Sequence, residues 1–222
     1  PVEGLVYRWG RPFSHGDPYP EITGYFLTSF SRLFDITNES SYLVKAQLAA
    51  DKLIEYQRPS GAIPTVINKK GEAQNIVHFF DLAIITRGLI DIYKRTEQEK
   101  YIKSAQLALK FLIKQVFDNS LPSVADWDGN VIEDNQFPTD FWINTKAIIP
   151  LYDMNIISPE PIYLKCALEI SEKLLKFQKS DGGFRLDIDS PYNRTHYHAY
   201  ATYGVLHLYK WNKDPALLDS VV

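Results

Sequence analysis

One segment of this 222-residue chain occurs three times, and the repetition limits the fold more than any other property. Thr86-Arg87-Gly88-Leu89-Ile90-Asp91-Ile92-Tyr93 returns as Thr145-Lys146-Ala147-Ile148-Ile149-Pro150-Leu151-Tyr152 and again as Thr202-Tyr203-Gly204-Val205-Leu206-His207-Leu208-Tyr209, at spacings of 59 and 57 residues. A period of this size, with two helical patterns in each unit, predicts stacked antiparallel helical hairpins, each burying a face that its own two helices cannot cover. The first helix of each unit is predicted over residues 21–34, 80–95, 139–153 and 196–210. These stretches are apolar on nearly all sides, as in Leu82-Ala83-Ile84-Ile85, and such helices must be buried all round. The second helices are amphipathic. Leu43, Ala46, Ala50, Leu53 and Ile54 form one stripe, Ile102, Ala105, Ala108, Leu109 and Leu112 the next, and Leu164, Ala167, Leu168, Leu174 and Leu175 the third. The inner and outer helices are joined by short polar turns, which make antiparallel neighbours.

The reading is therefore one all-α domain over residues 1–222 with about 7–8 helices, in repeats spanning about 20–77, 78–137, 138–195 and 196–222. The connecting loops repeat as well: Ala62-Ile63-Pro64-Thr65 through Gly71 matches Ser120-Leu121-Pro122-Ser123 through Gly129, and each is predicted as a small β-hairpin closed by a glycine turn. Asp126-Trp127-Asp128-Gly129-Asn130 looks superficially like a calcium loop. Its glycine and acids are out of register for one, so it reads as a turn.

Composition removes several function classes. A net charge of −3 without a basic stripe argues against nucleic-acid binding. The single cysteine, Cys166, excludes an internal disulfide framework and a cysteine-rich zinc site, and falls where a buried core thiol is expected. No apolar run approaches the ~20 residues needed to span a membrane. No cofactor motif and no metal ligand set is found; His196-x-His198 lacks a third ligand. The chain starts at Pro1, and residues 1–20 read as a connecting loop, compatible with a removed targeting segment.

Gln178-Lys179-Ser180-Asp181-Gly182-Gly183-Phe184, and its counterpart Gln57-Arg58-Pro59-Ser60-Gly61-Ala62-Ile63, close an alternation of inner and outer helices. Glycines there are expected to end the outer helix in a left-handed conformation. This pattern resembles the α/α-toroid superfamilies, which include the six-hairpin glycosidases and the terpene cyclase and prenyltransferase group. The resemblance covers nearly the whole chain. It implies an α/α toroid or partial toroid; a full ring in those families has about six hairpins, and the sequence accounts for three and a half. The expectation is a fragment or a truncated ring, with bare helix edges covered by the remainder of a larger toroid or by a second copy in a homodimer. The isoprenoid signatures are missing, since Asp187-Ile188-Asp189-Ser190 lacks the last acid of the protonating motif. That reading ranks last.

The starts of the inner helices align across repeats. Asp81 matches Asp140, and Glu21 lies within one residue of the same register, while the fourth unit offers His196 and His198. In a toroid these starts point to one mouth. The candidate catalytic residues are thus Asp81, Asp140, Glu21 and His198. The candidate substrate-binding residues are Tyr25, His78, Arg87, Trp127, Trp142, His196 and Tyr200, with aromatic faces stacking on sugar rings and Arg87 meeting an anionic group. Paired carboxyls in a partly apolar cleft can hold separated pKa values and do acid/base work on a glycosidic bond. The expectation is a carbohydrate-active protein acting on a poly- or oligosaccharide, uronic-acid substrates included. The alternative is a non-catalytic helical-repeat module that binds a glycan or a protein. Asp81 and Asp140 could equally be helix caps, Asp91 at i+4 could pair with Arg87, and His207 reads as a satisfied core group.

Overall fold

The computed structural model describes residues 3–9, 15–118, 121–132, 140–176, 178–180, 182–184 and 195–220. Its helices form antiparallel hairpins in chain order: α1 (Pro20–Thr37) with α2 (Ser40–Glu55), α3 (Phe79–Thr96) with α4 (Glu99–Asp118), α5 (Ile148–Ile157) with α6 (Pro161–Leu175), and α7 (Thr195–Asn212) with the short α8 (Pro215–Asp219). The odd-numbered helices pack against one another as an inner layer, α1 on α3, α3 on α5 and α5 on α7, and the even-numbered helices lie outside them.

Small residues set how closely the layers approach. Ala46, Ala105 and Ala167, equivalent positions on the outer helices, are fully buried. Within the inner layer the backbones nearly touch: a Cβ on Gly88 would lie 2.7 Å from the Gly24 carbonyl oxygen, and one on Gly204 would lie 2.5 Å from the Thr145 carbonyl oxygen. Glycine at 88 and 204 is thus a packing requirement, while the middle occurrence of the repeat carries Ala147 there. α3, in the middle of the arc, is buried on nearly every side, whereas α1 buries one stripe through Thr23, Gly24, Leu27, Thr28 and Ser31. The apolar-all-round expectation fails for α1 because, among the described residues, only one inner helix flanks it. Leu33, Ile36, Val44 and Leu48 are exposed along this edge.

The third inner helix also departs from expectation. Residues Asp140–Ala147 wind as a 3-10 turn, and regular α-helix begins only at Ile148. Pro150 explains the break. It has no N–H for the Lys146 carbonyl, and its ring clashes with that carbonyl in a continuous α-helix. As the third residue of α5 it occupies a place where the N–H would lack a helical partner anyway.

The loops form small β elements. β1 (Tyr7–Trp9) pairs with β2 (His15–Pro18), and β3 (Val77–His78) pairs antiparallel with β4 (Val124–Ala125), placing His78 opposite Val124. The repeated loops form the small antiparallel hairpins expected, bridged at Ile67–Ala73 and Ala125–Val131. Asp126 is engaged in its own turn, its Oδ1 accepting from the Asp128 and Asn130 N–H groups at 3.0 and 2.8 Å. The repeated glutamines tie these loops down. Gln57 Nε2 donates to the Gly61 and Ser104 carbonyls at 3.2 and 3.0 Å, and Gln178 Nε2 donates to the Gly182 carbonyl at 2.9 Å. Gly61 adopts φ +98° in a turn beyond α2 and does not cap the helix; the α2 cap is Tyr56 in a right-handed conformation. A Cβ at Gly61 would sit 2.0 Å from the Leu107 carbonyl oxygen, so close contact with α4 also demands glycine. Cys166 is buried, as expected, and burial raises its pKa to about 12. Among the described residues no helix is long and apolar enough to cross a membrane.

Candidate functional site

The starts of the inner helices and the loops before them enclose a cavity of about 470 Å³. Tyr19 and Glu21 come from the start of α1, Thr65 and Val66 from the loop after α2, and His78, Phe80 and Asp81 from the start of α3. Ser123 and Val124 come from the loop after α4, Ile143 and Asn144 from the 3-10 turn, and His196 and Tyr200 from α7. One wall is aromatic, with the Phe80 and Tyr200 rings stacked at 5.6 Å and His196 edge-on to Tyr200 at 6.0 Å.

Asp81 is the third residue of α3 and only 4% exposed. Among the described hydrogen bonds none runs from a helix N–H to its carboxylate, so it is not a simple cap. Burial first, and then the Glu21 charge, raise its pKa to about 8, against weaker pulls from the Thr65 and Tyr19 hydroxyls. At neutral pH the carboxyl therefore holds its proton. His78 Nδ1 lies 3.8 Å from Asp81 Oδ2, and the His78 N–H donates to Thr65 Oγ1 at 2.8 Å, which orients both groups. Asp81 Oδ2 is buried without a hydrogen-bond partner, and so is Nδ2 of Asn144, a residue 1% exposed. Both residues line the cavity, so a bound ligand would meet these atoms.

Glu21, His78, Asp81, His196 and Tyr200 are thus brought together. Tyr25 lies one layer behind, against Tyr200, and burial followed by Tyr200 raises its pKa. The side chains of Asp140 and Trp142 lie outside the described residues, as does the Asp187–Ser190 string. His198 does not join the cavity; its ring packs at 5.6 Å on Phe184. Residues two apart on a helix face opposite ways, so the His196-x-His198 pair cannot serve one site. Trp127 is also elsewhere. The Arg58 guanidinium covers its ring at 4.2 Å, and the Ser60 hydroxyl donates to its carbonyl, so it locks two loops together.

Arg87 lies deeper along α3. It does not pair with Asp91, which faces Arg95 at 3.8 Å instead. Its Nη2 donates to the Tyr203 hydroxyl at 3.4 Å, and its Nε is buried without a partner. Lys146 is 7% exposed, and burial, then the Arg87 charge, lower its pKa to about 8. His207 is the satisfied core group expected, its Nδ1 2.8 Å from the Tyr203 carbonyl.

Sequence reasoning missed Tyr19, Thr65, Ser123, Asn144 and Lys146. Thr65 and Ser123 are equivalent positions of the repeated loops, and that equivalence was the signal available. Asn144 carried none.

No family model and no curated protein sequence matches the chain. Solved structures do. A D-mannose isomerase superposes with a TM-score of 0.75 at 16% identity, covering 94% of this chain and 59% of that one. A cellobiose 2-epimerase from Bacillus thermoamylovorans gives 0.77 at 14% identity, covering 92% and 58%. An unsaturated glucuronyl hydrolase specific for heparin gives 0.70 at 14% identity, covering 90% and 62%. The fold is an α/α toroid. The chain spans about three-fifths of the length of these toroids, and at such identities the likeness establishes architecture alone.

Proposed function

We propose that the cavity binds a sugar ring of an oligo- or polysaccharide, uronic-acid-containing ones included, and that the protein cleaves a glycosidic bond there by acid/base chemistry. The observation that carries this reading is the buried Asp81 beside Glu21 in a cavity where, among the described residues, Asp81 Oδ2 and Asn144 Nδ2 have no hydrogen-bond partner. A sugar hydroxyl, which both donates and accepts, satisfies both atoms at once. The Phe80–Tyr200 wall suits stacking on a sugar face, and about 470 Å³ lies within the range of small-molecule sites.

Asp81 is the general acid. Its proton passes to the glycosidic oxygen as the bond to the anomeric carbon breaks. Glu21 stabilises the positive charge that develops and takes the proton of the water that adds. His78 positions Asp81, and Asp140 is a further candidate from the equivalent place in the next repeat. The carbohydrate-acting neighbours support the substrate class. Two of the matched structures are unsaturated glucuronyl hydrolases, and these support the uronic-acid part of it.

The contact between His78 and Asp81 favours a second reading, transfer of a proton at the carbon next to a sugar carbonyl, as in isomerisation or epimerisation. One experiment separates the two. The protein is incubated with neutral and uronic-acid oligosaccharides in D2O. New reducing ends support hydrolysis, deuterium at C2 supports proton transfer, and neither product on any sugar overturns both.

A further inference from the structure

The repeat places Thr28, Arg87, Lys146 and Tyr203 at the same register of the four inner helices. Tyr203 contacts both Arg87 and Lys146. The Lys146 ammonium lies 4.8 Å from the Tyr203 ring centroid and 4.4 Å from that of Tyr200. The Arg87 guanidinium donates to the Tyr203 hydroxyl at 3.4 Å, and its carbon lies 5.7 Å from that ring. Arg32, one turn beyond Thr28, adds another positive charge beside the Tyr203 hydroxyl.

Positive charge exceeds negative charge here. Among the described residues no carboxylate comes within 4.0 Å of the Arg87 or Lys146 head group. Asp91, the nearest acid on α3, feels the Arg87 charge but makes no ion pair with it, and is also engaged by Arg95 at 3.8 Å and by the Thr28 hydroxyl. Asp153 is held by Lys94 at 2.8 Å. Among the described residues Lys146, more than nine-tenths buried, makes no hydrogen bond, and the Arg87 Nε is buried without a hydrogen-bond partner. The buried ammonium and the half-buried guanidinium repel each other, and aromatic faces offset only part of the cost of desolvating them. Tyr200 belongs both to the wall of the cavity and to this cluster, so the cations adjoin the cavity at that ring.

We infer that Arg87, Lys146 and the Tyr203 hydroxyl form an oxyanion site next to the cavity, on the far side of Tyr200, which takes the acidic group (carboxylate, sulfate or phosphoryl) of a substituted sugar. The inference rests on the sugar-binding reading above and narrows the substrate class to acidic sugars. Lys146 is the added residue. The planar guanidinium supplies paired donors, the ammonium a point charge, and the phenol a further donor.

The test is equilibrium binding at low salt to D-glucose, D-glucuronate, glucose 6-phosphate and inorganic phosphate, by calorimetry or NMR titration and so without turnover. The expected result is at least tenfold tighter binding of an acidic sugar than of glucose, lost in Lys146→Met, and largely kept in Lys146→Arg. The Asp81→Asn variant should keep the same preference for charge while losing turnover. Lys146→Met should fold, since it removes a buried charge and keeps the length; Tyr203→Phe serves as a second probe and should weaken the acidic sugars only. Phosphate binding that depends on Lys146, with no sugar bound, upholds the anion site and overturns the sugar reading of the cavity. Equal affinity for glucose and glucuronate, or an acidic-sugar preference that survives Lys146→Met, overturns the inference.

Discussion

Asp81→Asn removes a titration that the fold has moved by several units. The folded pKa of about 8 lies above the ordinary value of 3.8. Between these values the folded chain binds more protons than the unfolded chain, so stability falls as pH rises. Each unit is worth ~1.4 kcal/mol. The wild type is therefore expected to lose up to ~1.4 kcal/mol per pH unit from about pH 5 to pH 8 through this group alone, then to level off. An asparagine carries no charge, so the variant lacks this slope. At pH 7 it should be the more stable protein by up to ~4 kcal/mol, a ceiling because relaxation around a buried carboxylate lowers the cost. Urea unfolding of both proteins at pH 5, 6, 7 and 8 measures the difference. Turnover should fall by ~10²–10⁴ over the same variant. Parallel stability profiles would show that Asp81 titrates normally and would refute the assignment of a stored proton. A less stable variant with unchanged turnover would mean that the carboxyl is structural.

The other expectations follow from single contacts. Asn144→Ala should leave the unfolding midpoint nearly unchanged and weaken sugar binding about tenfold, ~1.4 kcal/mol, because the sugar hydroxyl then has no amide to meet; calorimetry reads it. His198→Ala should cost stability through the lost Phe184 contact and leave turnover intact, whereas His196→Ala should lower turnover, and kcat/KM on any active substrate separates the two. Gly88→Ala should destabilise by ~1–3 kcal/mol despite better helix propensity, because its Cβ would meet the Gly24 carbonyl at 2.7 Å; a urea titration checks the sign. Acidic-sugar affinity should decline as pH rises through about 8, since Lys146, with its pKa lowered to about 8, loses its proton there in the ligand-free protein; a shallow, pH-independent affinity over pH 6–9 contradicts this.

The architecture was legible because its signal is local. The helical patterns, the alanines that allow close approach and the glycines at 88 and 204 each lie within a single repeat, and the 59- and 57-residue recurrence lines them up. The acid register at Glu21 and Asp81 followed from the same alignment. What escaped depends on contacts between distant segments. Trp127 is committed to Arg58 and Ser60, nearly seventy residues away, and no local pattern announces that pairing. Pro150 stood in plain view, yet the helical period around it outweighed its missing N–H. His198 was misplaced because adjacency in sequence was taken for adjacency in space, whereas a helix turns the two histidines apart. Lys146 was visible as the counterpart of Arg87, but only the buried environment shared with Tyr200 and Tyr203 distinguishes it from a surface lysine.

A crystal structure of the Asp81→Asn protein with an acidic oligosaccharide tests the central claim most directly. The account predicts a sugar ring against Phe80 and Tyr200, one hydroxyl within hydrogen-bonding distance of both the Asn144 amide and the side chain at position 81, and the glycosidic oxygen on the Glu21 side of the cavity. An oligosaccharide bound on another surface, with none of these atoms in contact, would contradict it.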